Sequence, residues 1–281
     1  MLWPPANVAT THLGDIEYHD IGSGPVIVFL HLVLADASHW DLMPALLADR
    51  YRCIFPTLPM GGHRIPANEG ADLSVDGLVG AVAQLLEHLD VHDVTLVGND
   101  SGGALAQVMA ATNAARVGRV VLTNCDMYDT CPPKMFSHFK LLPYVPGSLW
   151  ITGRALKVRA LWRLPFVFGL LTNRVDGVKI SRWADALLAS KAVRRDAKQV
   201  IKGLHPRVTN AAAVALHTTT LPFLVAWGSD DKAFKLALAQ RFCAEVPTAR
   251  LVLIEHCKTL VCWDQPQRLA ELIDGFVTSG S

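Results

Sequence analysis

The chain has 281 residues, of which 51% are hydrophobic and 18% are charged, and its formal net charge is +1. This composition excludes a disordered chain and predicts a protein that folds completely around a large core. A net charge so near zero gives no long-range field that would favour nucleic acid or an anionic membrane surface, so affinity for either would require a local patch.

The N-terminal residues Met-Leu-Trp-Pro-Pro contain no basic region followed by an apolar run, so they do not resemble a signal peptide. We therefore expect a cytoplasmic protein. The six cysteines are scattered along the chain, which indicates reduced thiols. Cys257 and Cys262 have no second pair and no histidine at ligand spacing, so no zinc site is expected.

Short apolar runs rich in β-branched residues recur along the chain and predict buried strands. These runs lie at 26–30, 52–55, 94–97, 120–123, 223–227 and 251–254. Apolar residues spaced three and four apart predict helices at 40–47, 74–89, 101–113, 236–245 and 265–277. Strands that alternate with helices and are apolar on both faces predict an α/β fold with a mostly parallel sheet flanked by helices.

The alternation stops between residues 129 and 216, where prolines punctuate short helical stretches and no strand is evident. We predict a core of residues 1–128 and 217–281 with an inserted helical cap, residues 129–216. Segment 149–171 is strongly apolar but contains four basic residues and a proline, so it is not a membrane-spanning helix. We favour a lid over the core for this segment, and a helix resting on a membrane is the alternative. The sequence leaves open whether the protein is a monomer or a homodimer.

The most informative motif is Val-Gly-Asn-Asp-Ser-Gly-Gly at residues 97–103, which ends a predicted strand and begins a predicted helix. A sharp strand-to-helix turn leaves no room for side chains two positions either side of its central residue. Gly98 and Gly102 flank Asp100 at this spacing, whereas Ser101 would have Asn99 as one of its neighbours. The motif therefore predicts Asp100 at the apex of the turn. A glycine-rich turn without a reactive residue at its apex is the alternative. The motif lacks the GxGxxG spacing of a dinucleotide-binding site, so no cofactor is expected.

With these residues the chain resembles the α/β-hydrolase superfamily over nearly its whole length. His31 follows the first predicted strand, where the family has its His-Gly oxyanion segment, and Trp40 lies downstream as it often does in the family. Residues 228–231 are similar to the family's acid loop, with Asp231 as the acid. An aspartate at the elbow resembles the haloalkane dehalogenase and epoxide hydrolase branch. The resemblance implies that Asp100 attacks carbon to form an alkyl ester, which water activated by a histidine then cleaves.

Two departures from the family pattern concern the segment around the elbow. The glycine after the oxyanion histidine is replaced by Leu32, whose side chain would crowd the approach to an oxyanion hole formed by N–H groups at positions 32 and 101. Ser101 stands where dehalogenases and many epoxide hydrolases have tryptophan, so a halide-binding indole is missing there. Dehalogenation is therefore disfavoured.

A third departure concerns the catalytic base. Relatives place a histidine about seven residues before the proline that opens the last helix, and seven residues before Pro266 stands Thr259. His256 lies three residues early, and a bulged loop could bring its imidazole to Asp100 as the base. A structural or surface role for His256 and a mechanism without this step are the alternatives.

Other polar residues near predicted strand ends are weaker candidates. His31 is expected to anchor its loop through hydrogen bonds. His63 and Arg64 follow a strand end, where sheets of this kind bind ligands, although a solvated loop is the simpler interpretation. Asp126 could be an alternative acid, although a turn or capping role is favoured for it. Tyr144 is the one tyrosine clearly inside the predicted cap and the candidate proton donor for opening an epoxide.

These residues predict a hydrolase of small, largely apolar molecules, with Asp100 as nucleophile, Asp231 as orienting acid and His256 as base, and with epoxides favoured as substrates. An esterase that uses Ser101 is one alternative. A relative that binds a small molecule or catalyses a non-hydrolytic step is the other, because both the base at position 259 and the glycine at position 32 are missing.

Overall fold

The computed structural model describes residues 3–279, so the first two residues of the N-terminal segment lie outside the described part. Its strands form one sheet in the order β1-β2-β4-β3-β5-β6-β7-β8. The strands are β1 (Asn7–Thr11), β2 (Gly14–Ile21), β3 (Val26–Leu30), β4 (Arg52–Thr57), β5 (Val94–Asp100), β6 (Val117–Cys125), β7 (Phe223–Gly228) and β8 (Ala249–Ile254). β2 runs antiparallel to both of its neighbours, and β3 to β8 are parallel. The predicted α/β sheet is confirmed.

The six predicted strands correspond to β3 to β8, whereas the sequence patterns missed β1 and β2. Both missed strands lie at the antiparallel edge of the sheet, where the first residues of β2 alternate between buried and exposed positions. Charged residues such as Asp15 and Glu17 occupy the outward positions, so no continuous apolar run marks this strand.

Helices cover both faces of the sheet. They are α1 (Pro44–Leu47), α2 (Val75–His88), α3 (Ser101–Thr112), α4 (Ser148–Leu156), α5 (Gly177–Ala189), α6 (Lys191–Gly203), α7 (Pro206–Leu216), α8 (Leu236–Glu245), α9 (Val261–Asp264) and α10 (Pro266–Thr278). The prediction of one helix over 40–47 was wrong, because a 3₁₀ turn at Ala37–Trp40 is followed by non-helical residues before α1. Pro44 has no N–H to continue a preceding helix and is suited to begin one.

Between β6 and β7 the described chain forms α4 to α7 and short 3₁₀ and π turns but no extended strand. Helices α4, α5 and α6 pack together, whereas α7 packs against α3 of the sheet layer. The apolar segment 149–171 is broken after α4, and none of the described helices is long and apolar enough to cross a membrane. The assignment of residues 129–216 to a separate cap stays a prediction.

Polar contacts of Asp36, which is itself buried, fix α5 at the carboxyl ends of the parallel strands. Asp36, on the loop after β3, accepts hydrogen bonds from Arg182 Nη2 at 2.7 Å and Trp183 Nε1 at 3.0 Å, both on α5. The Arg182 guanidinium holds the pKa of Asp36 below its usual value against the opposing effect of burial. The inserted helices are therefore tied to the edge of the sheet where the elbow lies.

Candidate active site

Asp100 lies at the turn from β5 into α3 and has φ of 54° and ψ of −125°. Residues with a side chain rarely adopt this left-handed backbone. A Cβ added to Gly98 would lie 2.5 Å from the carbonyl oxygen of Gly102, and one added to Gly102 would collide with the carbonyl oxygen of Leu30. The turn therefore requires both glycines, and Asp100 occupies its apex.

An apolar cavity of about 290 Å³ lies between this edge of the sheet and the inserted helices. Its apolar lining includes Leu32, Val33, Leu34, Phe136, Phe139, Leu156, Phe168 and Trp183. The ionisable side chains that line it are those of Asp100, Asp126, His138 and Lys140. Because the volume is at the lower end of ligand pockets, the cavity suits a small apolar molecule.

The two carboxyl groups in the lining influence each other. Burial raises the pKa of Asp100 to about 6, against the opposing effect of the hydrogen bond from the Ser101 N–H to Asp100 Oδ1 at 2.7 Å. Burial and the neighbouring Asp100 charge raise the pKa of Asp126 well above its usual value, and Lys140 lowers it. Two close carboxyl groups in an apolar site resist ionising together, so the pair retains a proton near neutral pH.

The predicted acid, Asp231, lies just after β7, and protein groups occupy both of its oxygens. Its Oδ1 accepts the N–H groups of Ala233 at 2.7 Å and Phe234 at 3.1 Å. Its Oδ2 accepts Asn124 Nδ2 and Thr259 Oγ1, each at 2.8 Å. Burial raises the pKa of Asp231 to about 6, and these hydrogen bonds act in the opposite direction.

Thr259, at the position where the sequence resemblance implies the catalytic histidine, is fully buried. Its hydroxyl donates to Asp231, and its carbonyl oxygen accepts Asn99 Nδ2 at 2.8 Å. Asn99 in turn accepts a hydrogen bond at Oδ1 from His39 Nε2, at 3.0 Å. The hydrogen bond to Asp231 that an imidazole at this position would make is therefore made by the threonine hydroxyl.

His256 is exposed and lies outside the cavity lining. It has φ of 57°, and its carbonyl oxygen accepts Asn173 Nδ2 at 3.2 Å. The structure does not bring the His256 imidazole together with Asp100 or Asp231, so the loop does not form the bulge that its predicted role as base requires.

Of the two N–H groups expected to form an oxyanion hole, at positions 32 and 101, that of Ser101 already has a partner. The Val33 N–H donates to Ser101 Oγ at 2.7 Å, and the Ser101 N–H donates to Asp100. Ser101 is fully buried, while Leu32 lines the cavity at the position expected to crowd this segment. The Ser101 N–H therefore holds the Asp100 carboxylate in place and is not a free donor for a substrate oxygen.

His31 is buried and anchors the loop after β3. Its Nδ1 lies 2.8 Å from the carbonyl oxygen of Leu32, and its Nε2 accepts the Leu58 N–H at 3.0 Å. Nε2 as acceptor makes Nδ1 the donor, and burial lowers the pKa of this imidazole, so it stays neutral.

Two further candidates lie away from the cavity lining. Trp40 is fully buried and packs against Phe29, with ring centroids 5.3 Å apart. Tyr144 is 69% exposed, and Lys202 Nζ lies 5.2 Å from its ring centroid. The structure therefore does not bring the Tyr144 hydroxyl to Asp100.

The loop after β4 holds His63 in a structural position and leaves Arg64 exposed. His63 is 2% exposed, accepts the Gly61 N–H at Nδ1, and pairs through Nε2 with Asp196 Oδ2 on α6 at 3.1 Å. This buried pair joins the loop to an inserted helix and lies outside the lining of the large cavity. A ligand-binding role for His63 and Arg64 has no support from this position.

The sequence interpretation underestimated Asp126 and missed His138 and Lys140. Asp126 directly follows Cys125, which pairs in register with Asp100 of the neighbouring strand. The adjacency of two parallel strands was a usable signal, because their carboxyl ends meet at the same edge of the sheet. His138 and Lys140 gave no comparable signal, since an irregular 3₁₀ segment at Lys134–Leu141 brings them to the cavity.

The model of the alpha/beta hydrolase family matches residues 27–272. The chain belongs to the alpha/beta hydrolase family.

Within residues 3–279, no cluster of three or more histidine, cysteine or acidic side chains is placed to hold a metal ion. All six cysteines are free.

Curated proteins are similar to this chain at modest identity. An uncharacterized Mycobacterium tuberculosis protein is 26% identical over 98% of the chain and 81% of its own length. Haloalkane dehalogenase 2 of the same species is 27% identical over 92% of the chain and 90% of its own length. The structure of the epoxide hydrolase CorEH without ligand superimposes with a TM-score of 0.80 at 18% identity and covers 99% of both chains, which establishes a shared fold.

Proposed function

We propose that this protein is a hydrolase of small apolar epoxides that acts through a covalent ester on Asp100. The observation that carries the proposal is the position of Asp100, a carboxylate at the apex of the elbow that lines an apolar cavity of about 290 Å³. The similarity to haloalkane dehalogenase 2, in sequence, and to an epoxide hydrolase, in fold, supports the same chemistry.

The covalent step follows from the character of the nucleophile. A carboxylate oxygen of Asp100 attacks one carbon of the strained three-membered ring, and the carbon–oxygen bond breaks with its electron pair moving to the epoxide oxygen. The Ser101 N–H bound to Oδ1 fixes the carboxylate orientation. Water then attacks the ester carbonyl carbon and releases a vicinal diol.

The residues next to the nucleophile favour epoxides over halides and over esters. No indole follows Asp100 to bind a halide, because the next residue is Ser101. Ester cleavage by Ser101 is disfavoured, since its Oγ is buried and accepts the Val33 N–H. An esterase would also need donors for an oxyanion, and the Ser101 N–H, one of the two expected donors, already has a partner.

A second function is favoured by a specific observation at Thr259. Since its hydroxyl satisfies Asp231 where relatives have the base, a protein that binds an apolar molecule without hydrolysing it would retain this geometry. Such a protein would use the cavity for affinity and would form no ester.

Intact-protein mass spectrometry tests the covalent proposal. Wild-type protein and Asp100→Asn are exposed to terminal epoxides, primary alkyl bromides and aryl esters, with Ser101→Ala as the matched control. In samples quenched with acid during turnover, we expect transient adducts that map to Asp100 in wild type and Ser101→Ala, and none in Asp100→Asn. Adducts on Ser101 would identify an esterase, and ligand binding by every variant without any adduct would favour the binding protein.

A further inference from the structure

Asp126 occupies the cavity floor without the bonds that a structural aspartate makes. It is 2% exposed, its N–H donates to the carbonyl oxygen of Asp100 at 3.2 Å, and its carbonyl oxygen accepts Gln107 Nε2 at 2.9 Å. These backbone bonds fix the residue beside the elbow. Its Oδ1 is buried with no hydrogen-bond partner among residues 3–279.

An unpartnered carboxyl in this position is costly to maintain. Burying a polar atom without a hydrogen bond is unfavourable, and the cost rises steeply if the group is ionised. The side chain does not cap a helix or close the turn before Tyr128, which was the favoured interpretation from the sequence. Asp126 instead lines the same cavity as Asp100, so the residue borders the space that a substrate would occupy.

We propose that Asp126 is a catalytic residue that first protonates the epoxide oxygen and then activates the water that cleaves the Asp100 ester. This inference rests on the proposed function. It assigns to one carboxyl group the two proton transfers for which neither Tyr144 nor His256 is in position.

The proton balance closes with one proton held by the two carboxyl groups. As the Asp100 carboxylate opens the ring, the Asp126 carboxylic acid gives its proton to the epoxide oxygen and becomes a carboxylate. Asp126 then takes a proton from water as the hydroxide attacks the ester carbonyl carbon. When the tetrahedral intermediate breaks its bond to the substrate, the departing alkoxide takes the proton back from Asp126, leaving the diol, a protonated Asp100 and an ionised Asp126. Transfer of the proton from Asp100 to Asp126 then restores the starting state.

Charge explains why Asp126 can change roles during the cycle. While Asp100 is ionised, its charge and burial hold the pKa of Asp126 high, so Asp126 is an acid. Esterification removes the Asp100 charge, which lowers the pKa of Asp126 and favours the carboxylate that a base requires. Lys140 favours the same ionised form. The neighbouring thiols of Cys125 and Cys131 stay neutral, because burial and both carboxylates raise their pKa.

The choice of electrophile separates this inference from the proposed function. An alkyl bromide esterifies Asp100 by expelling bromide, which needs no proton, whereas an epoxide needs the acid. In Asp126→Asn we expect 1-bromobutane to form an Asp100 ester that persists, while wild type hydrolyses it. We expect ester formation from 1,2-epoxybutane to slow by about 10²–10⁴-fold in the same variant. Asp129→Asn, an exposed substitution three residues along the chain, is the matched control and should behave as wild type.

The outcomes discriminate between the two proposals. No Asp100 ester from either compound in any protein would overturn both. Ester formation and turnover by Asp126→Asn at wild-type rates would overturn the role of Asp126 and leave the hydrolase proposal intact. Persistent esters in His138→Ala together with normal turnover in Asp126→Asn would assign the proton transfers to His138 and would also overturn the inference.

A pH profile of wild type provides a test that does not depend on folding of the variant. The rate of ester formation from the bromide should rise with pH to a plateau, since only Asp100 must ionise. The rate from the epoxide should rise and then fall at higher pH, since Asp126 must stay protonated. Profiles of the same shape for both compounds would overturn the inference.

Discussion

Two clusters of polar groups lie at the same edge of the sheet and differ in how their carboxyl groups are satisfied. In the Asp231 cluster, Asp231 accepts hydrogen bonds from Thr259, Asn124 and two backbone N–H groups. In the Asp100 cluster, Asp100 accepts the Ser101 N–H, and Asp126 Oδ1 has no partner within residues 3–279. The Asp231 cluster, in which both carboxyl oxygens accept hydrogen bonds, has the geometry of a structural unit. The Asp100 cluster, in which Asp126 Oδ1 accepts none from residues 3–279, lines the cavity.

The largest expected effect comes from Asp100→Asn, which keeps the shape of the side chain and removes the nucleophile. Asparagine tolerates the positive φ of this position. We expect epoxide hydrolysis to fall by about 10⁴–10⁶-fold with binding of an apolar ligand retained. Single-turnover kinetics with product detection measure the loss, and residual activity within tenfold of wild type would contradict the nucleophile assignment.

Asp231→Ala should act mainly on stability. It leaves Thr259, Asn124 and two backbone N–H groups without their acceptor, and we expect a loss of about 2–4 kcal/mol in the free energy of unfolding. Urea denaturation measures this loss. Rates per folded molecule should stay within tenfold of wild type, and a fall of 10³-fold with unchanged stability would show that Asp231 belongs to the catalytic cluster.

The pH dependence of stability sharpens the same comparison. Because burial raises the pKa of Asp100 to about 6, the folded state binds more protons than the unfolded state between about pH 4 and 6. The stability that protonated Asp100 contributes to the folded state is therefore lost as the pH rises through this window. The unfolding free energy of Asp100→Asn relative to wild type should grow by about 2–3 kcal/mol from pH 4 to pH 7. A difference that is constant with pH would contradict the raised pKa.

His256→Ala should have the smallest effect, because the side chain is exposed and lies outside the cavity lining. We expect turnover within twofold of wild type and a change in unfolding free energy within about 0.5 kcal/mol. Steady-state kinetics and thermal unfolding check both values. Accumulation of an Asp100 ester in this variant would instead establish His256 as the base.

The sequence predicted the structural features that depend on the spacing of residues close together in the chain. Buried apolar runs located β3 to β8, and the glycines at positions 98 and 102 located Asp100, because a tight turn constrains neighbours two residues away. The edge strands β1 and β2 were missed because exposure on one face removes the apolar run.

The hydrogen bonding within the two polar clusters could not be predicted from the sequence, because it depends on contacts between segments that are distant along the chain. Thr259 could be read as a missing histidine, but its hydrogen bonds to Asp231 and Asn99 arise only when three strand ends meet. Asp126 was visible in the sequence as a residue at a strand end. The absence of a partner for its Oδ1 depends on everything packed around it, so no local pattern reports it.

The most direct test of the central claim is a single turnover of an epoxide by excess enzyme in ¹⁸O-labelled water. Attack of water on an Asp100 ester predicts that ¹⁸O enters the Asp100 carboxyl group, which peptide mass spectrometry locates on the segment at residues 97–103. Label found only in the diol, with Asp100 unlabelled, would show that water attacks the epoxide directly and would contradict the covalent account.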